Sequence, residues 1–310
     1  MPNIFVVMPA FNESRSISET IIKIKSAMKK NKLKVKKILV IDDGSTDETV
    51  ARISKLRDVD IFSHKVNRGL GAAVRSGLDI CKKLDADYVI KIDADGQHNP
   101  DDIPKLLKNL LNDSADIVYG NRILNFKTTF IRRAGNRFFS MLMRYMTNWD
   151  IKDSQPGIFA INKECLASIK IFGNYNYTQQ VLLSSQLMGM RFVHEDVLFS
   201  KRQTGTSFVD LRYVYKALSQ ILVLLICFQP LRVFGRFGLF LLTIGLLTFT
   251  YQLIGWSLGY SERVIENVNL ILGLSIVGGQ SLLAGLLGQL IVNQSTQNQL
   301  SYNFSKKTKN

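Results

Sequence analysis

Residues 88–95, Tyr-Val-Ile-Lys-Ile-Asp-Ala-Asp, indicate the fold class of this chain. Their first five residues are mostly apolar or aromatic, which predicts a buried strand, and two aspartates follow at once. Residues 37–43, Lys-Ile-Leu-Val-Ile-Asp-Asp, have the same pattern. Parallel strands end at one edge of their sheet, and ligands bind at that edge. The sequence therefore predicts a binding site where both acidic pairs lie.

Strands and helices alternate along the first 120 residues. Strands are predicted at residues 3–8, 37–41, 60–64, 88–92 and 116–119. Helices are predicted between them, at residues 16–31, 47–56, 71–84 and 101–111. This alternation favours an α/β fold with a mostly parallel sheet that is covered on both faces.

The net charge of the chain limits the classes of partner that we expect it to bind. The 310 residues include 40 Lys and Arg against 25 Asp and Glu, a formal net charge of +15. Such a balance suits phosphorylated substrates, an anionic membrane surface or nucleic acid. Because no nucleic-acid-binding module accompanies the charge, nucleic acid is not an expected partner. The three cysteines are scattered, which argues against a zinc site or a disulfide framework.

Two segments near the end of the sequence have almost no charge. Residues 237–259 and 268–293 each have the length of a membrane span, which needs about 20 apolar residues. Core helices of a soluble protein are the alternative. The flanking basic residues, among them Arg232, Arg236 and Lys306, predict that the large domain and both termini lie in the cytoplasm.

The remaining organisation follows from these spans. Residues 210–229 combine basic and aromatic residues with an apolar run too short to cross a bilayer, which predicts a helix in the membrane interface. Eight glycines in the spans would allow close packing of helices and a homo-oligomer. The predicted parts are a catalytic domain (1–208), an interfacial amphipathic helix (209–231), a transmembrane hairpin (232–294) and a polar cytoplasmic tail (295–310).

Asp93 and Asp95 are candidate metal ligands. Two carboxylates at positions i and i+2 after a strand can hold Mg²⁺ or Mn²⁺, because both ions prefer oxygen ligands. Such an ion neutralises a diphosphate leaving group, as a nucleotide-sugar would supply. A solvated acidic turn is the alternative that these two residues alone leave open.

Four segments together resemble the family 2 glycosyltransferases of the GT-A fold. The segments are Pro9–Glu13 (Pro-Ala-Phe-Asn-Glu), Asp42–Asp47 (Asp-Asp-Gly-Ser-Thr-Asp), Asn67–Ala73 (Asn-Arg-Gly-Leu-Gly-Ala-Ala) and Asp93–Pro100 (Asp-Ala-Asp-Gly-Gln-His-Asn-Pro). More narrowly, residues 3–208 look like the dolichyl-phosphate mannose synthase and polyprenyl-phosphate glucosyltransferase branch. In that branch a pair of membrane helices commonly follows.

The resemblance implies an activity. A Rossmann-like GT-A domain would move a sugar from a UDP- or GDP-linked donor to a polyisoprenyl phosphate, either undecaprenyl or dolichyl phosphate. The reaction would be a metal-assisted, inverting single displacement at the cytoplasmic face of the inner or plasma membrane. A family 2 transferase with another membrane glycan or lipid acceptor, and a non-catalytic membrane scaffold, are the alternatives.

The resemblance also implies roles for individual positions. The nucleoside would contact Pro9, Phe11, Glu13, Asp42 and Asp43. The metal and diphosphate would contact Asp93, Asp95 and Gln97. The lipid phosphate would contact Arg122, Arg132 and Asn136. Three residues would act in catalysis: Asp95 through the metal, Asp153 as base or orienter, and Arg202 in a closing loop. A turn-capping role for Asp153 and a membrane-surface role for each arginine stay open.

The chain departs from the family pattern at several positions. Gly157-Ile158-Phe159 replaces a frequent Gly-Phe-Arg, and Gln179-Gln180 lies where many members have an acidic residue. Asn136 replaces a Ser, and Phe208 replaces a Lys. These departures leave the reaction class intact and the identity of the sugar and acceptor open.

Overall fold

The computed structural model describes residues 2–124, 130–171, 174, 176–200, 222–223 and 225–307. The chain forms two compact units, Met1–Leu211 and Arg212–Asn310. The first contains the acidic pairs, and the second contains the apolar segments.

The first unit is an α/β domain. Its strands are β1 (Ile4–Ala10), β2 (Val35–Asp42), β3 (Val59–Ser63), β4 (Tyr88–Ile92), β5 (Ile117–Leu124), β6 (Ile158–Asn162) and β7 (Phe192–Phe199). Its helices are α1 (Ile17–Lys30), α2 (Thr49–Ile53), α3 (Leu70–Lys83), α4 (Ile103–Leu111), α5 (Phe130–Thr147), α6 (Lys163–Ser168) and α7 (Tyr177–Leu187). A 3₁₀ turn, Pro100–Asp102, precedes α4.

The strands form one sheet in the order β3-β2-β1-β4-β6-β5-β7. Neighbouring strands are parallel except that β6 runs antiparallel to both β4 and β5. The chain leaves β1 toward β2 on one side and later returns to place β4 on the other. The gap between β1 and β4 is therefore a topological switch point, where a ligand crevice is expected. The predicted mostly parallel α/β fold is confirmed.

Burial explains why the strands are so apolar. All seven residues of β1 are buried, because helices cover both faces of the sheet. On α1, the predicted apolar face is buried: Ile17, Ile21, Ile24 and Met28 are all at most 1% exposed. Burial of this helical stripe against the strands anchors α1 beside the site.

The element boundaries differ from the prediction in two instructive places. Helix α2 is only Thr49–Ile53, because the residues before it form turns that hold the β2 loop. Strand β5 extends to Leu124, five residues beyond the predicted end at 119, because it pairs with β7 over its whole length. That pairing carries Arg122 onto the sheet.

The second unit contains two long helices, α8 (Arg236–Ser257) and α9 (Val268–Lys307). A π-helical turn, Leu231–Gly235, precedes α8. Residues 231–257 and 268–298 are long and apolar enough to cross a membrane. The helix α9 continues past residue 295 to Lys307, and the polar, cytoplasmic character of the segment from residue 295 stays a prediction. Of the predicted interfacial helix, residues 209–221 and 224 lie outside the described part.

The glycines of the hairpin fall into two groups. A Cβ on Gly278 would lie 2.9 Å from the backbone oxygen of Gly238, so these helices touch at their backbones. Four of the eight predicted packing glycines contact the neighbouring helix or turn in this way: Gly245, Gly278, Gly285 and Gly288. The other four have no described atom within 4 Å of a Cβ position: Gly255, Gly259, Gly273 and Gly279. Packing within one chain thus accounts for half of them, and the homo-oligomer stays a prediction.

Candidate active site

The strand register brings the two acidic pairs to one edge of the sheet. Ala10, the last residue of β1, pairs with Asp42, the last residue of β2. On the other side of β1, Val7 pairs with Lys91 of β4, two residues before Asp93. The turns after β1, β2 and β4 therefore surround the switch-point crevice.

Hydrogen bonds join the turns after β1 and β2. The Asn12 backbone N–H donates to Ser45 Oγ (3.0 Å), and the Thr46 N–H donates to Asn12 Oδ1 (2.9 Å). Asn12 has a φ of 55°, a left-handed conformation that Asn tolerates well. Next to it, the ring of Phe11 is 42% exposed. An exposed aromatic ring held on a fixed turn can stack on a nucleobase.

Glu13 and Asp47 also hold the turns after β1 and β2 in place. The Glu13 N–H donates to Thr49 Oγ1 (2.9 Å), and its Oε2 accepts from Ser16 Oγ (3.2 Å). Burial opposes ionisation of Asp47, but hydrogen bonds from Thr49 and Ser14 outweigh it and lower the pKa of Asp47 to about 2. Its carboxylate thus fixes the start of α2.

Asp42 and Asp43 are both 3% exposed, yet they have different partners. Asp43 Oδ1 accepts from the Arg68 N–H (3.0 Å) and contacts His64 Nδ1 (2.7 Å), while its Oδ2 accepts from the Gly69 N–H (2.7 Å). Asp43 thereby holds the turn before α3. Asp42 Oδ1 accepts from the Ser45 N–H at 3.0 Å. Of the two, Asp42 has fewer hydrogen bonds among the described residues, and its contact with a nucleoside stays a prediction.

Asp93 is paired with a buried lysine. Lys91 on β4 is fully buried, and its Nζ donates to Asp93 Oδ1 (2.5 Å) and to the Gly157 carbonyl (3.0 Å). The Tyr177 ring lies under the ammonium, with its centroid 5.1 Å from Nζ. Burial disfavours the charged form of Lys91, but Asp93 and Tyr177 outweigh burial and raise its pKa.

Asp95 and Gln97 lie in the loop after β4, and both are half-buried. The Gln97 N–H donates to Asp95 Oδ1 (3.0 Å). The end of β7 clamps this loop: Gln97 Nε2 donates to the Ser200 carbonyl (3.1 Å), and the Ser200 N–H donates to the Gln97 carbonyl (2.8 Å). Arg202, predicted to close over the diphosphate, lies outside the described residues.

The imidazole ring of His98, in the same loop, has no hydrogen-bond partner among the described residues. The ring is 3% exposed, and Phe199 packs edge-on at 4.9 Å. Burial lowers the pKa of His98 to about 4, so the ring is neutral near pH 7. A Cβ on Gly157 would lie 2.3 Å from both His98 Nε2 and Asp93 Oδ2, so only glycine fits between them.

These residues fit a divalent ion that a ligand helps to hold. Asp95 and Gln97 offer side-chain oxygens, which Mg²⁺ and Mn²⁺ prefer. The ring nitrogens of His98, which have no partner among the described residues, could bind a ligand or a water. No group of three His, Cys, Asp or Glu side chains in the described ranges is arranged to hold a metal by itself. A bound diphosphate would have to complete the coordination.

Arg122 and Asp153, which were predicted to have separate roles, form one ion pair. Arg122 Nε donates to Asp153 Oδ2 (2.5 Å), and its second terminal nitrogen donates to Oδ1 (2.9 Å). The side chains are 16% and 5% exposed, and the guanidinium lies 5.3 Å from the Phe199 ring centroid. Because both Asp153 oxygens accept from Arg122, the geometry favours an orienting role over a base.

Helix α5 carries the other predicted acceptor residues. Asn136 is half-buried, and its Oδ1 has no hydrogen-bond partner in the described part of the chain. The backbone of Arg132 lies in the first turn of α5, and its side chain lies outside the described atoms. The structure therefore leaves the contact of these two residues with a phosphate as a prediction.

Sequence reasoning missed the residues beneath the site. Lys91 and Tyr177 contact each other below Asp93. Gln179 and Gln180, which depart from the family pattern, are 1% and 3% exposed on the same helix as Tyr177. A lysine inside an otherwise apolar strand was the available signal for Lys91, since lysine is almost never buried without a partner. Tyr177 had no such signal.

Acidic turns at the switch point of a mostly parallel sheet are the arrangement that the resemblance to GT-A glycosyltransferases implies. The comparison with protein families identifies the family. The chain belongs to the family described as glycosyl transferase family 2, which matches residues 5–169. It is therefore a glycosyltransferase, as the sequence motifs predicted.

Two relatives indicate the range of the family. The chain is 31% identical over 183 residues to a UDP-N-acetylglucosamine–dolichyl-phosphate N-acetylglucosaminyltransferase of Methanococcus voltae, covering 53% of this chain and 70% of that one. It is 23% identical over 320 residues to a dodecaprenyl-phosphate galacturonate synthase of Rhizobium johnstonii, covering 96% and 90%. The second match extends through the apolar helices.

Solved structures confirm the fold. Glucosyl-3-phosphoglycerate synthase from Mycobacterium tuberculosis, in a complex with Mn²⁺, UDP and phosphoglyceric acid, superposes with a TM-score of 0.56 at 21% identity. The match covers 73% of this chain and 78% of that chain. At this identity the likeness speaks for the architecture alone.

Proposed function

We propose that the protein transfers a sugar from a nucleoside diphosphate donor to a polyisoprenyl phosphate at a membrane surface. The observation that carries this proposal is the position of His98. Only Gly157 separates its ring from Asp93, on the proposed donor side. On the proposed acceptor side, the ring packs against Phe199 at 4.9 Å, and the guanidinium of Arg122, which pairs with Asp153, lies 5.3 Å from the same Phe199 ring. One site thus offers carboxylates for a donor and a cation for an anionic acceptor.

On the donor side, the turns after β1 and β2 would hold the nucleoside. Phe11 offers an exposed ring for the base, and Asp42 and Glu13 offer acceptors for ribose or base N–H and O–H groups. Pro9 is buried and shapes the strand end behind them. The donor class, UDP- or GDP-linked, follows from the family resemblance and from the names of the relatives.

Asp95 and Gln97, with Asp93 behind them, would hold Mg²⁺ or Mn²⁺. When bound, such an ion supplies a Lewis acid that neutralises the leaving diphosphate. The chain's own contribution is to fix the loop, since the hydrogen bonds between Gln97 and Ser200 tie it to β7. Arg202 would follow this clamp and close over the diphosphate.

On the acceptor side, Arg122 would bind the lipid phosphate with Arg132 and Asn136. A guanidinium can hold phosphate oxygens in two places, and Asp153 fixes its plane. A phosphate monoester is already anionic near neutral pH, with a second pKa of about 6, so orientation matters more than a strong base. A single displacement by that phosphate inverts the anomeric configuration.

The membrane location rests on both units. The second unit supplies two candidate spans. The first supplies α5, whose exposed face alternates basic and apolar side chains: Arg133, Arg137, Phe138, Met141, Arg144 and Tyr145. Such a face suits the interface of an anionic bilayer. With the distribution of basic flanking residues, this supports a catalytic domain and termini at the cytoplasmic face.

The test is a transfer assay with purified full-length protein in detergent. The assay combines polyprenyl phosphate, Mn²⁺ or Mg²⁺, and a panel of radiolabelled UDP- and GDP-sugars. We expect label in the organic phase with one donor, and its loss when EDTA is added. Transfer to another lipid but never to the phosphate would disprove the proposed acceptor, and failure of every nucleotide to bind would disprove catalysis altogether.

A further inference from the structure

Lys91 is a buried cation for which the reaction outlined above has no use. Its side chain is fully buried, so its ammonium cannot touch a substrate. Its partners are Asp93 Oδ1, the Gly157 carbonyl and the Tyr177 ring. Burying an ammonium costs several kcal/mol unless it is well paired. Asp93 must therefore stay paired with Lys91 to offset this cost, which fixes the pair beneath the loop.

The strand register shows where this cation comes from. Strand β4 pairs antiparallel with β6, and Lys91 lies directly opposite Phe159. Residues directly opposite on neighbouring antiparallel strands share one face of the sheet. In Gly157-Ile158-Phe159, Phe159 takes the place of the arginine in the frequent Gly-Phe-Arg. In this chain the basic residue on that face of the sheet is therefore Lys91 of β4, and the β6 position opposite it holds Phe159.

The pair changes the charge that a metal would meet. With Lys91 bound to Asp93, the acidic pair after β4 has the net charge of one carboxylate, that of Asp95. Within the described residues, no group of three His, Cys, Asp or Glu side chains is arranged to hold a metal ion. A positive charge a few ångströms from a divalent ion also repels it, by an amount that is large at partly buried positions.

We infer that Lys91 is a positioning residue that makes metal binding depend on the donor: by pairing with Asp93 it keeps the site too weakly charged to hold a divalent ion until a nucleoside diphosphate adds its own oxygens. This inference rests on the proposed function, because it assumes that Mn²⁺ and a nucleoside diphosphate bind at Asp95. The metal and the donor would then enter and leave together.

The experiment measures Mn²⁺ binding by electron paramagnetic resonance, using full-length protein in detergent with and without UDP (or GDP, whichever the transfer assay selects). For the unchanged protein we expect weak binding of Mn²⁺ alone and at least about tenfold tighter binding with the nucleotide. Lys91→Met and Lys91→Gln remove the charge, and the Gln side chain keeps a donor for Asp93. Each should tighten the binding of Mn²⁺ alone by about tenfold or more.

Two further variants separate charge from packing. Lys91→Met combined with Phe159→Arg returns a cation to the same face, and we expect it to restore weak binding of Mn²⁺ alone. Lys105→Met is the matched control, because Lys105 also pairs with a buried aspartate, Asp102 at 2.6 Å, but its own side chain is 56% exposed. It should leave Mn²⁺ binding unchanged.

The outcomes keep this inference and the proposed function apart. If neither nucleotide binds with Mn²⁺ to the unchanged protein, the proposed donor site is wrong. If they bind together but Mn²⁺ alone binds as tightly, the inference is overturned while the function survives. It is also overturned if a folded Lys91→Met or Lys91→Gln protein, checked by thermal unfolding, binds Mn²⁺ alone as weakly as the unchanged one.

Discussion

The two acidic pairs look alike in the sequence, but in the structure the two aspartates of each pair have different partners. After β2, Asp43 accepts hydrogen bonds from two backbone N–H groups and contacts His64, while Asp42 has one bond from its own turn. After β4, Asp93 pairs with buried Lys91, while Asp95 lies in the loop clamped to β7.

One carboxylate in each pair therefore anchors a loop to the fold, while the other, Asp42 or Asp95, accepts a hydrogen bond from its own turn and is the proposed ligand-binding group. The anchors differ in kind. Asp43 binds backbone groups at the start of α3, whereas Asp93 binds a charged side chain from its own strand. Substitutions at the two kinds of position should consequently fail in different ways, through stability at the anchors and through ligand binding at the crevice.

The largest effect is expected at Asp95. Asp95→Asn keeps the shape of the side chain and removes the charge that would face the metal. We expect sugar transfer to fall by at least about a hundredfold, since it loses one preorganised electrostatic contact in the site. The melting temperature should stay close to that of the unchanged protein.

The matched control for Asp95 is Asp101→Asn, an exposed aspartate in the turn before α4. It should keep nearly full activity. If Asp95→Asn were as active as this control, Asp95 would not belong to the metal site, and the division into anchor and crevice residues would fail after β4.

The second effect separates Asp43 from Asp42. Asp43→Ala removes three contacts, with the Arg68 N–H, the Gly69 N–H and His64, and we expect it to lower the free energy of unfolding by about 3 kcal/mol. Asp42→Ala removes a single hydrogen bond and should cost about 1 kcal/mol, while weakening nucleotide binding. Chemical unfolding and nucleotide titration of both variants measure the two quantities. Equal losses of stability would contradict the distinction after β2.

A smaller effect is expected at Gly157, which separates Asp93 from His98. Gly157→Ala would force both side chains away, because its Cβ would lie 2.3 Å from an atom of each. Overpacking of this kind costs about 1–3 kcal/mol. Thermal unfolding measures the loss. Gly135→Ala on α5 is the control, since no described atom lies within 4 Å of its Cβ position, and it should be neutral or slightly stabilising.

Local sequence patterns predicted the fold, but they could not predict contacts between residues far apart in the chain. Strands such as β4 and the acidic turns after them are local patterns, so the α/β fold and the edge of the sheet could be predicted. The partners of those acids could not. Asp43 finds its donors 25 and 26 residues away, and Arg122 finds Asp153 31 residues away. Only the folded chain brings such residues together.

The acceptor half was harder to predict for a related reason. Strand β6 runs against its neighbours, and β5 continues past its apolar core because β7 pairs with it. Neither feature has a periodic signal in the sequence. The departures from the family pattern at Phe159 and at Gln179-Gln180 could be recognised from the sequence. That Lys91 of β4 lies opposite Phe159 could not, because the pairing of β4 with β6 is visible only in the fold.

The smallest expected effect concerns Asp47, which fixes the turn beside the first pair. Its pKa of about 2 in the folded protein lies below the ordinary value of 3.8, so its ionised form favours the folded state. That contribution is complete above about pH 4 and is lost as the pH falls toward 2. In Asp47→Asn the melting temperature should therefore fall less steeply between pH 4 and pH 2.5. Asp58 is the control, because its side chain is 87% exposed and its φ of 56° is a left-handed conformation that Asn also tolerates. Asp58→Asn should keep the steeper fall of the melting temperature. Parallel curves for all three proteins would show that the hydrogen bonds of Asp47 contribute nothing measurable to the turn.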